Sequence, residues 1–377
     1  MNILIVGGGI GGLTCALALT RAGHAVTLVE REPRFAPVGA GIVLAPNARR
    51  ILSWLGVSLE QHGAPLAGLD VVRADGALLS RMDASRFKDR YGEPWAFTRP
   101  ALHDALSAAL PPSVKLRFAA AVSGIERGPD GVTVRFDAAS APEHYDLVVG
   151  ADGLRSSVRG LVCGPAAYRY SGVTCYRGLV PNPGIGRAIE AWGGAARIGT
   201  VPLAHGQLYY YLVLTAPQRA PALSLAELRK ACAHFRGEVA QLWAALHELP
   251  PLHHDLEELD APVWGVGRVL LLGDAAHAMT PNQGQGAAMA IEDALALTSA
   301  LEAGADGALA RYAALRHARV RAVQLDSRRL GQLAHLEGPA LGFVRDGLMR
   351  LIPERMAAAQ YVRLVEPGLS LLARCAA

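Results

Sequence analysis

The stretch Ile3-Leu4-Ile5-Val6-Gly7-Gly8-Gly9-Ile10-Gly11-Gly12 decides how this chain folds. Four apolar residues make a short buried strand, the glycines make a turn, and residues 12–22 continue as an Ala- and Leu-rich helix stopped at Gly23. Residues 25–30 form a second strand that ends at Glu30. Strand, helix, strand in that order predicts a parallel sheet. Gly7, Gly9 and Gly12 satisfy G-x-G-x-x-G, and Glu30 lies 30 − 12 = 18 residues further on, near the ~20 of a dinucleotide fingerprint. Gly7 makes the tight turn, Gly9 lets the backbone approach a pyrophosphate, and Gly12 lets helix pack on strand. The helix N-terminus offers free N–H groups and partial positive charge to phosphates. Glu30 can accept from a ribose diol. The motif alone does not separate NAD from FAD.

Two later segments have the same strand–turn–helix grammar. In residues 146–159 a buried strand ends at Gly150-Ala151-Asp152-Gly153 and opens a helix, where Asp152 fits a cap. In Leu270-Leu271-Leu272-Gly273-Asp274-Ala275-Ala276-His277 a buried strand delivers Asp274 at its carboxyl end, where parallel sheets bind ligands. Pro281 and Gly284-Gln285-Gly286-Ala287 then open a long helix whose amides can meet a developing negative charge. His277 is expected to hold its loop.

The remaining chain fits this frame. It has 377 residues, 51% hydrophobic and 19% charged, which is ample for a core. The net charge of +4 is dispersed with no basic block, so a nucleic-acid partner is not expected. Five scattered cysteines without C-x-x-C imply neither a disulfide framework nor a metal site. No signal peptide and no apolar run of ~18 residues is read, and a reducing cytoplasm is the expected location. Residues 114–122, 131–136 and 145–150 read as strands and 99–110 as a helix. From 170 to 214 strands alternate with turns (173–179, 189–192, 197–202, 208–214), predicting an antiparallel sheet. Alternation puts Tyr209 and Tyr211 on one face and Tyr210 on the other, and pairs Cys175 with Arg177. His253 and His254, beside an acidic run, read as a solvated turn; they and His205 are the possible bases. Residues 309–373 are mostly helical, read as a cover on the first domain. The apolar spacing Leu341, Val344, Leu348, Leu351 also suits a lipophilic path or peripheral membrane contact.

The three motifs, in this order and spacing, resemble the FAD-dependent aromatic hydroxylases of the p-hydroxybenzoate hydroxylase fold. Asp152-Gly153 and Gly273-Asp274 match that family's second and third motifs. Val38 to Ile42, Pro46-Asn47 and Arg99 with Leu102 match as well. Tyr170-Ser171-Gly172, residues 255–259 and residues 273–280 are most like the alkyl-quinolone 3-hydroxylases, within a group that includes the urate, salicylate and 3-hydroxybenzoate hydroxylases. The resemblance implies an α/β fold: a Rossmann-like FAD-binding domain (1–70, 98–165 and 262–330), an inserted substrate domain with an antiparallel sheet (71–97 and 166–261), and a C-terminal helical segment (331–377). It implies FAD across Gly7, Gly9, Gly11 and Gly12, with Glu30 and Arg31 at the adenosine. Val43 and Val122 would line the flavin and adenine ends, Arg99 the ribityl–pyrophosphate stretch, and Asp274 the ribityl side. Asp152 would belong to the same site, with Pro281, Gly284, Gln285, Gly286 and Ala287 around the flavin ring. NADH or NADPH would bind transiently, O2 would give a flavin C4a-hydroperoxide, and an electron-rich aromatic small molecule would be hydroxylated. Arg197 matches a substrate-contacting arginine and Tyr209 an active-site tyrosine of the urate-hydroxylase group, and Tyr211 shares their pocket. Arg197 would then stabilise an anionic oxygen to which Tyr209 hydrogen-bonds. The scaffold also serves non-oxygenating flavin reductases and enzymes that oxidise nitrogen or antibiotics.

Overall fold

The structure is a computed structural model that describes residues 1–35, 39–137, 141–248, 252–351 and 354–376. Val38, quoted above, lies outside the described residues. The opening motif builds the first layer. Six strands lie in the order β18 (Gly265–Val266), β19 (Val269–Leu271), β12 (Leu147–Gly150), β1 (Asn2–Val6), β2 (Ala25–Val29) and β8 (Lys115–Arg117). All pair in parallel except β18 with β19. Parallel strands buried on both sides read as continuous apolar runs, and both sides are covered here. Ile3, Ile5, Val26, Leu28 and Val149 pack under α1 (Ile10–Arg21), α4 (Arg99–Ala108) and α9 (Gly286–Leu301). Leu4, Val29, Val148 and Leu271 pack on a three-stranded antiparallel sheet of β9 (Val122–Arg127), β10 (Val132–Phe136) and β11 (Glu143–Tyr145). The strand read over 114–122 is thus two strands, β8 and β9, in different sheets. The turn between them includes Ala119 at φ 51.

A second, seven-stranded sheet runs β17 (Leu252–Leu259), β13 (Tyr168–Pro181), β16 (Gln207–Thr215), β15 (Ala196–Pro202), β14 (Ala188–Trp192), β5 (Gly68–Arg73) and β6 (Leu78–Asp83). It is antiparallel apart from β14 with β5, which pair in parallel. The four strands expected between 170 and 214 are all present, with β13 extended to 14 residues. Residues 252–259 correct the solvated-turn reading of His253 and His254, because they form the edge strand β17 paired with β13. One face of this sheet, with Tyr210, Leu212, Ile198 and Tyr176, packs on α6 (Leu225–Ala231) and α7 (Leu242–Ala245). The other face carries Tyr209, Tyr211, Arg177 and Arg197. A small sheet of β3 (Gly41–Leu44), β4 (Gly63–Pro65) and β7 (Trp95–Thr98) joins the two layers.

The remaining helices are α2 (Pro46–Trp54), α3 (Lys88–Tyr91), α5 (Ser157–Cys163), α8 (Asp274–His277), α10 (Ala308–Ala334), α11 (Pro339–Leu351) and α12 (Glu354–Ala376). Helix α12 lies on α2 and α9. Pro367 sits inside α12 and cannot donate to the Arg363 carbonyl. Arg319 of α10 donates to that carbonyl (3.0 Å) and to the Leu364 carbonyl, so the gap is closed from outside the helix. Helix α11 packs on β6 and exposes Leu341, Phe343, Val344, Leu348 and Leu351. Among the described residues no helix is long and apolar enough to cross a membrane.

Candidate active site

The glycines of the opening turn do separate jobs. Gly7 has φ 109, and a Cβ there would lie 2.6 Å from the Ala151 carbonyl oxygen, so β1 and β12 end in close contact. A Cβ on Gly12 would run into the Gly7 carbonyl oxygen, so Gly12 closes the turn. Gly11 does the helix packing assigned above to Gly12: its Cβ would stand 2.7 Å from Leu272 and 3.2 Å from Ala290 of α9. Gly9 caps α1, and a Cβ there would meet nothing within 4 Å. The backbone is therefore bare where a pyrophosphate approaches the helix N-terminus. Glu30 accepts from the Gly8 amide (2.8 Å) and the Glu32 amide (3.1 Å). A carboxylate has about four lone-pair sites, so two remain for a ribose. Arg31 is exposed beside Glu32. Val122 is buried with Val6 and Val29, so its side chain serves the core, while the adjoining Ala120 amide bonds the Glu30 carbonyl at 3.0 Å.

Asp152, expected at the cofactor, is engaged by its own turn. Its carboxylate accepts from the Ser156 hydroxyl, the Ser157 amide (2.7 Å) and hydroxyl, and the Val158 amide (3.1 Å). It supports the start of α5, whose N-cap is Ser156 with its hydroxyl on the Arg159 amide (2.9 Å), and holds the turn that abuts Gly7.

At the other end of the sheet Gly273, at φ 61, turns the chain so that Asp274 is exposed at the start of α8. Asp274 stands 4.0 Å from where a Cβ on Gly286 would be, beside the first turn of α9. That helix begins at Gly286, later than the sequence pattern suggests. Pro281 opens a 3-10 turn, Gly284 takes the left-handed conformation at φ 63, and Gln285 is the N-cap. Ala287 follows in the first turn. Buried Asn47 ties this end to α2, donating to Glu292 (2.7 Å) and Gln285 (3.4 Å). His277 holds the loop: its Nε2 bonds Asp293 at 2.6 Å, and Asp293 also accepts from the Gly273 amide at 3.0 Å.

Arg99 opens α4 between these two ends, its backbone amide bonded to the Ala40 carbonyl at 2.9 Å. Burial, then Arg177, lowers its pKa, opposed by Asp274 and Tyr209. A Cβ on Gly39 would collide with the Arg99 side chain, so the glycine makes room for it. Bare Gly9, the Arg99 guanidinium, exposed Asp274 and the N-terminus of α9 together fit one extended dinucleotide, with phosphates at α1 and a ring at α9.

The second sheet supplies the opposite wall. Tyr209 lies against Gly41 of β3, where any Cβ would strike its ring, and packs with Val43. Burial, then Cys175, raises the Tyr209 hydroxyl to about 12, so it stays protonated. Arg177 stands beside that hydroxyl, with its buried Nε without a hydrogen-bond partner. His254 faces the same way, opposite Cys175, and burial, then Arg177, lowers it to about 4. Cys175, Val213, Leu256 and Tyr211 form an apolar floor next to Arg177.

Arg197 is 3% exposed and is neither a surface residue nor a free anion receptor. Nε donates to Nε2 of His335 (2.9 Å), Nη1 to Glu190 (3.2 Å) and Nη2 to Asn282 Oδ1 (2.8 Å). Glu190 also accepts from Trp192 Nε1 (2.7 Å) and from the Tyr211 hydroxyl. A cleft of about 270 Å³ opens beside Arg197, between Val173, Thr215, Thr280, Asn282 and His335.

Comparison with known proteins agrees with this geometry. A model of the FAD binding domain matches residues 1–166 and 229–326. The chain belongs to the FAD-dependent aromatic hydroxylases. The 2-heptyl-3-hydroxy-4(1H)-quinolone synthase of Pseudomonas aeruginosa is 37% identical, covering 97% of each chain. The 3-amino-4-hydroxybenzoate 2-monooxygenase PtmB3 of Streptomyces platensis is 40% identical, covering 90% of each. The crystal structure of Klebsiella pneumoniae HpxO with FAD and uric acid superposes with a TM-score of 0.87 at 27% identity, over 97% of this chain and 96% of that one. This hydroxylase therefore uses FAD, NAD(P)H and O2 to hydroxylate an aromatic or heteroaromatic small molecule.

The residues expected at the hydroxylase's flavin were legible in the sequence because they lie in motifs. Glu190 and His335 were missed, and neither Asn282 nor Thr280 was quoted for a role. Glu190 had one legible signal, its period-2 relation to Trp192 on a strand. His335 had none, because it meets Arg197 across 138 residues.

Proposed function

We propose that the substrate is a hydroxylated or oxo-bearing heteroaromatic ring of the 4-quinolone type, bound as its monoanion with Arg177 and Tyr209 on the anionic oxygen. The observation that carries this reading is Arg177, whose buried Nε lacks a partner beside a protonated tyrosine. FAD, when bound, supplies the oxidising chemistry, drawing on NAD(P)H and O2. The chain's own residues hold and activate the ring. The guanidinium favours the deprotonated, electron-rich form of a ring hydroxyl or N–H, and Tyr209 donates to the same oxygen. The apolar floor of Cys175, Val213 and Tyr211 suits a flat ring and keeps water from its face.

The charge count supports one anionic oxygen rather than a ring carboxylate in addition. Arg197 is answered by Glu190 (3.2 Å), Arg169 by Glu258 (2.8 Å), and Arg328 by Glu258 (2.7 Å) and Asp260 (3.4 Å). A benzoate would bring a second negative charge to a wall where these three cations are already paired.

The test is stimulated NADH oxidation with 2-heptyl-4(1H)-quinolone, 3-amino-4-hydroxybenzoate and uric acid, with labelled O2 followed into product. The quinolone should stimulate most and take up one labelled oxygen. Arg177→Gln should raise its KM about tenfold or more, the cost of one charged hydrogen bond. Preference for the benzoate, or an unchanged KM in Arg177→Gln, would overturn the proposal.

A further inference from the structure

The resemblance casts Arg197 as a substrate contact, but its surroundings point elsewhere. Its partners come from three elements: Glu190 on β14, His335 at the end of α10, and Asn282 in the segment that leads into α9. Asn282 is itself held. It donates to the Thr280 hydroxyl (3.0 Å) and the Ser327 carbonyl (2.9 Å), and a Cβ on Gly331 would collide with its amide nitrogen. Ser327 in turn donates to the Thr280 carbonyl at 2.5 Å. Residues 280–285 are thus gripped by α10 on one side and, through Arg197 alone among the described residues of the second sheet, by the substrate wall on the other. This segment sets the first turn of α9, where Gly286 stands beside Asp274.

We infer that Arg197 is a positioning residue which, through Asn282, locks the segment 280–285 and so places the N-terminus of α9 against the bound cofactor. Glu190 neutralises and aims the guanidinium and is itself steadied by Tyr211 and Trp192. His335 must accept from Nε, so it is neutral with its proton on Nδ1. A lysine cannot replace Arg197, because one ammonium on a flexible stem cannot serve three partners in a fixed fork. The inference rests on FAD binding and is independent of the substrate proposed above.

The experiment uses the full-length protein carrying Arg197→Gln, Arg197→Lys, Asn282→Ala, and Arg197→Gln with Asn282→Ala. FAD affinity is measured by reconstituting apoprotein, the absorption spectrum of bound FAD is recorded without substrate, and binding of 2-heptyl-4(1H)-quinolone is followed separately. Both Arg197→Gln and Asn282→Ala should shift the flavin spectrum in the same direction and raise the Kd for FAD about tenfold, as expected for one charged hydrogen bond. The double variant should be no worse than the weaker single, since both remove one interaction. Arg197→Lys should behave like Arg197→Gln. Wild-type FAD affinity and spectrum in Arg197→Gln, or additive losses in the double variant, would overturn the inference. If Arg197→Gln does not fold, Asn282→Ala decides: a wild-type spectrum and FAD affinity there overturn it as well. Failure of the quinolone to bind any form would sink the substrate proposal and leave the flavin readouts intact.

Discussion

A methyl group added at Gly9 would meet nothing within 4 Å, whereas one added at Gly12 would run into the Gly7 carbonyl oxygen. The two substitutions should therefore fail differently. Gly9→Ala should fold, with apoprotein stability lowered by less than about 1 kcal/mol, and lose FAD affinity at least about tenfold. Gly12→Ala should lose about 1–3 kcal/mol or more through overpacking of the turn and bind no flavin. Urea melts of the apoproteins and flavin titration separate the cases; a Gly9→Ala protein that purifies as yellow as wild type would contradict the reading. These residues were legible because each acts on neighbours within a few positions. Arg177 and Arg197 were legible as strand residues, but not in their difference, because that difference lies in what each one meets across the fold.

At the scale of elements, the joint between α9, α10 and α12 is built on buried charge. Arg316 donates to Glu292 and Asp293, both at 2.7 Å, and all three are buried. Burial alone would raise Asp293, but His277 and Arg316 outweigh it and hold the carboxyl at about 2. Arg316→Met should cost about 3–5 kcal/mol, since it removes the buried cation shared by two carboxylates. Arg329→Met, which removes an exposed pair with Asp326 (3.2 Å), should change stability by less than about 1 kcal/mol. Equal urea midpoints for the two variants would refute this account. The helix at 286–301 is readable from its Ala and Leu content, but nothing in the pattern says that Glu292 and Asp293 face inward. Their arginine partners sit 23 to 27 residues away on α10.

For the whole molecule, acid should destabilise the fold in a defined window. His335 is pushed down from 6.5 to about 3 by burial, then Arg197 and Arg345. His254 is pushed down to about 4 by burial, then Arg177. A folded-state pKa below the unfolded value means that the unfolded chain binds more protons, so stability falls as pH drops below 6.5. The loss continues to about 3, and Asp293 adds its own between 3.8 and about 2. The melting temperature should be insensitive to these groups above pH ~7. His335→Gln should flatten the slope between pH 6.5 and 4 by removing one proton-binding difference. An unchanged slope would show that His335 is not held neutral by the fold.

The sequence by itself determined the nucleotide-binding turn, the parallel layer and the four central strands of the second sheet. Those rest on period, glycine placement and apolar runs within a few tens of residues, where chain connectivity forces the groups together. Only the tertiary structure decided that 252–259 is a sheet edge, and that Arg197 is held by three partners while the buried Arg177 Nε has none. The partners that engage Arg197 come from 7, 85 and 138 residues away. Which side chains meet over such distances depends on how whole layers pack, and no local pattern records it.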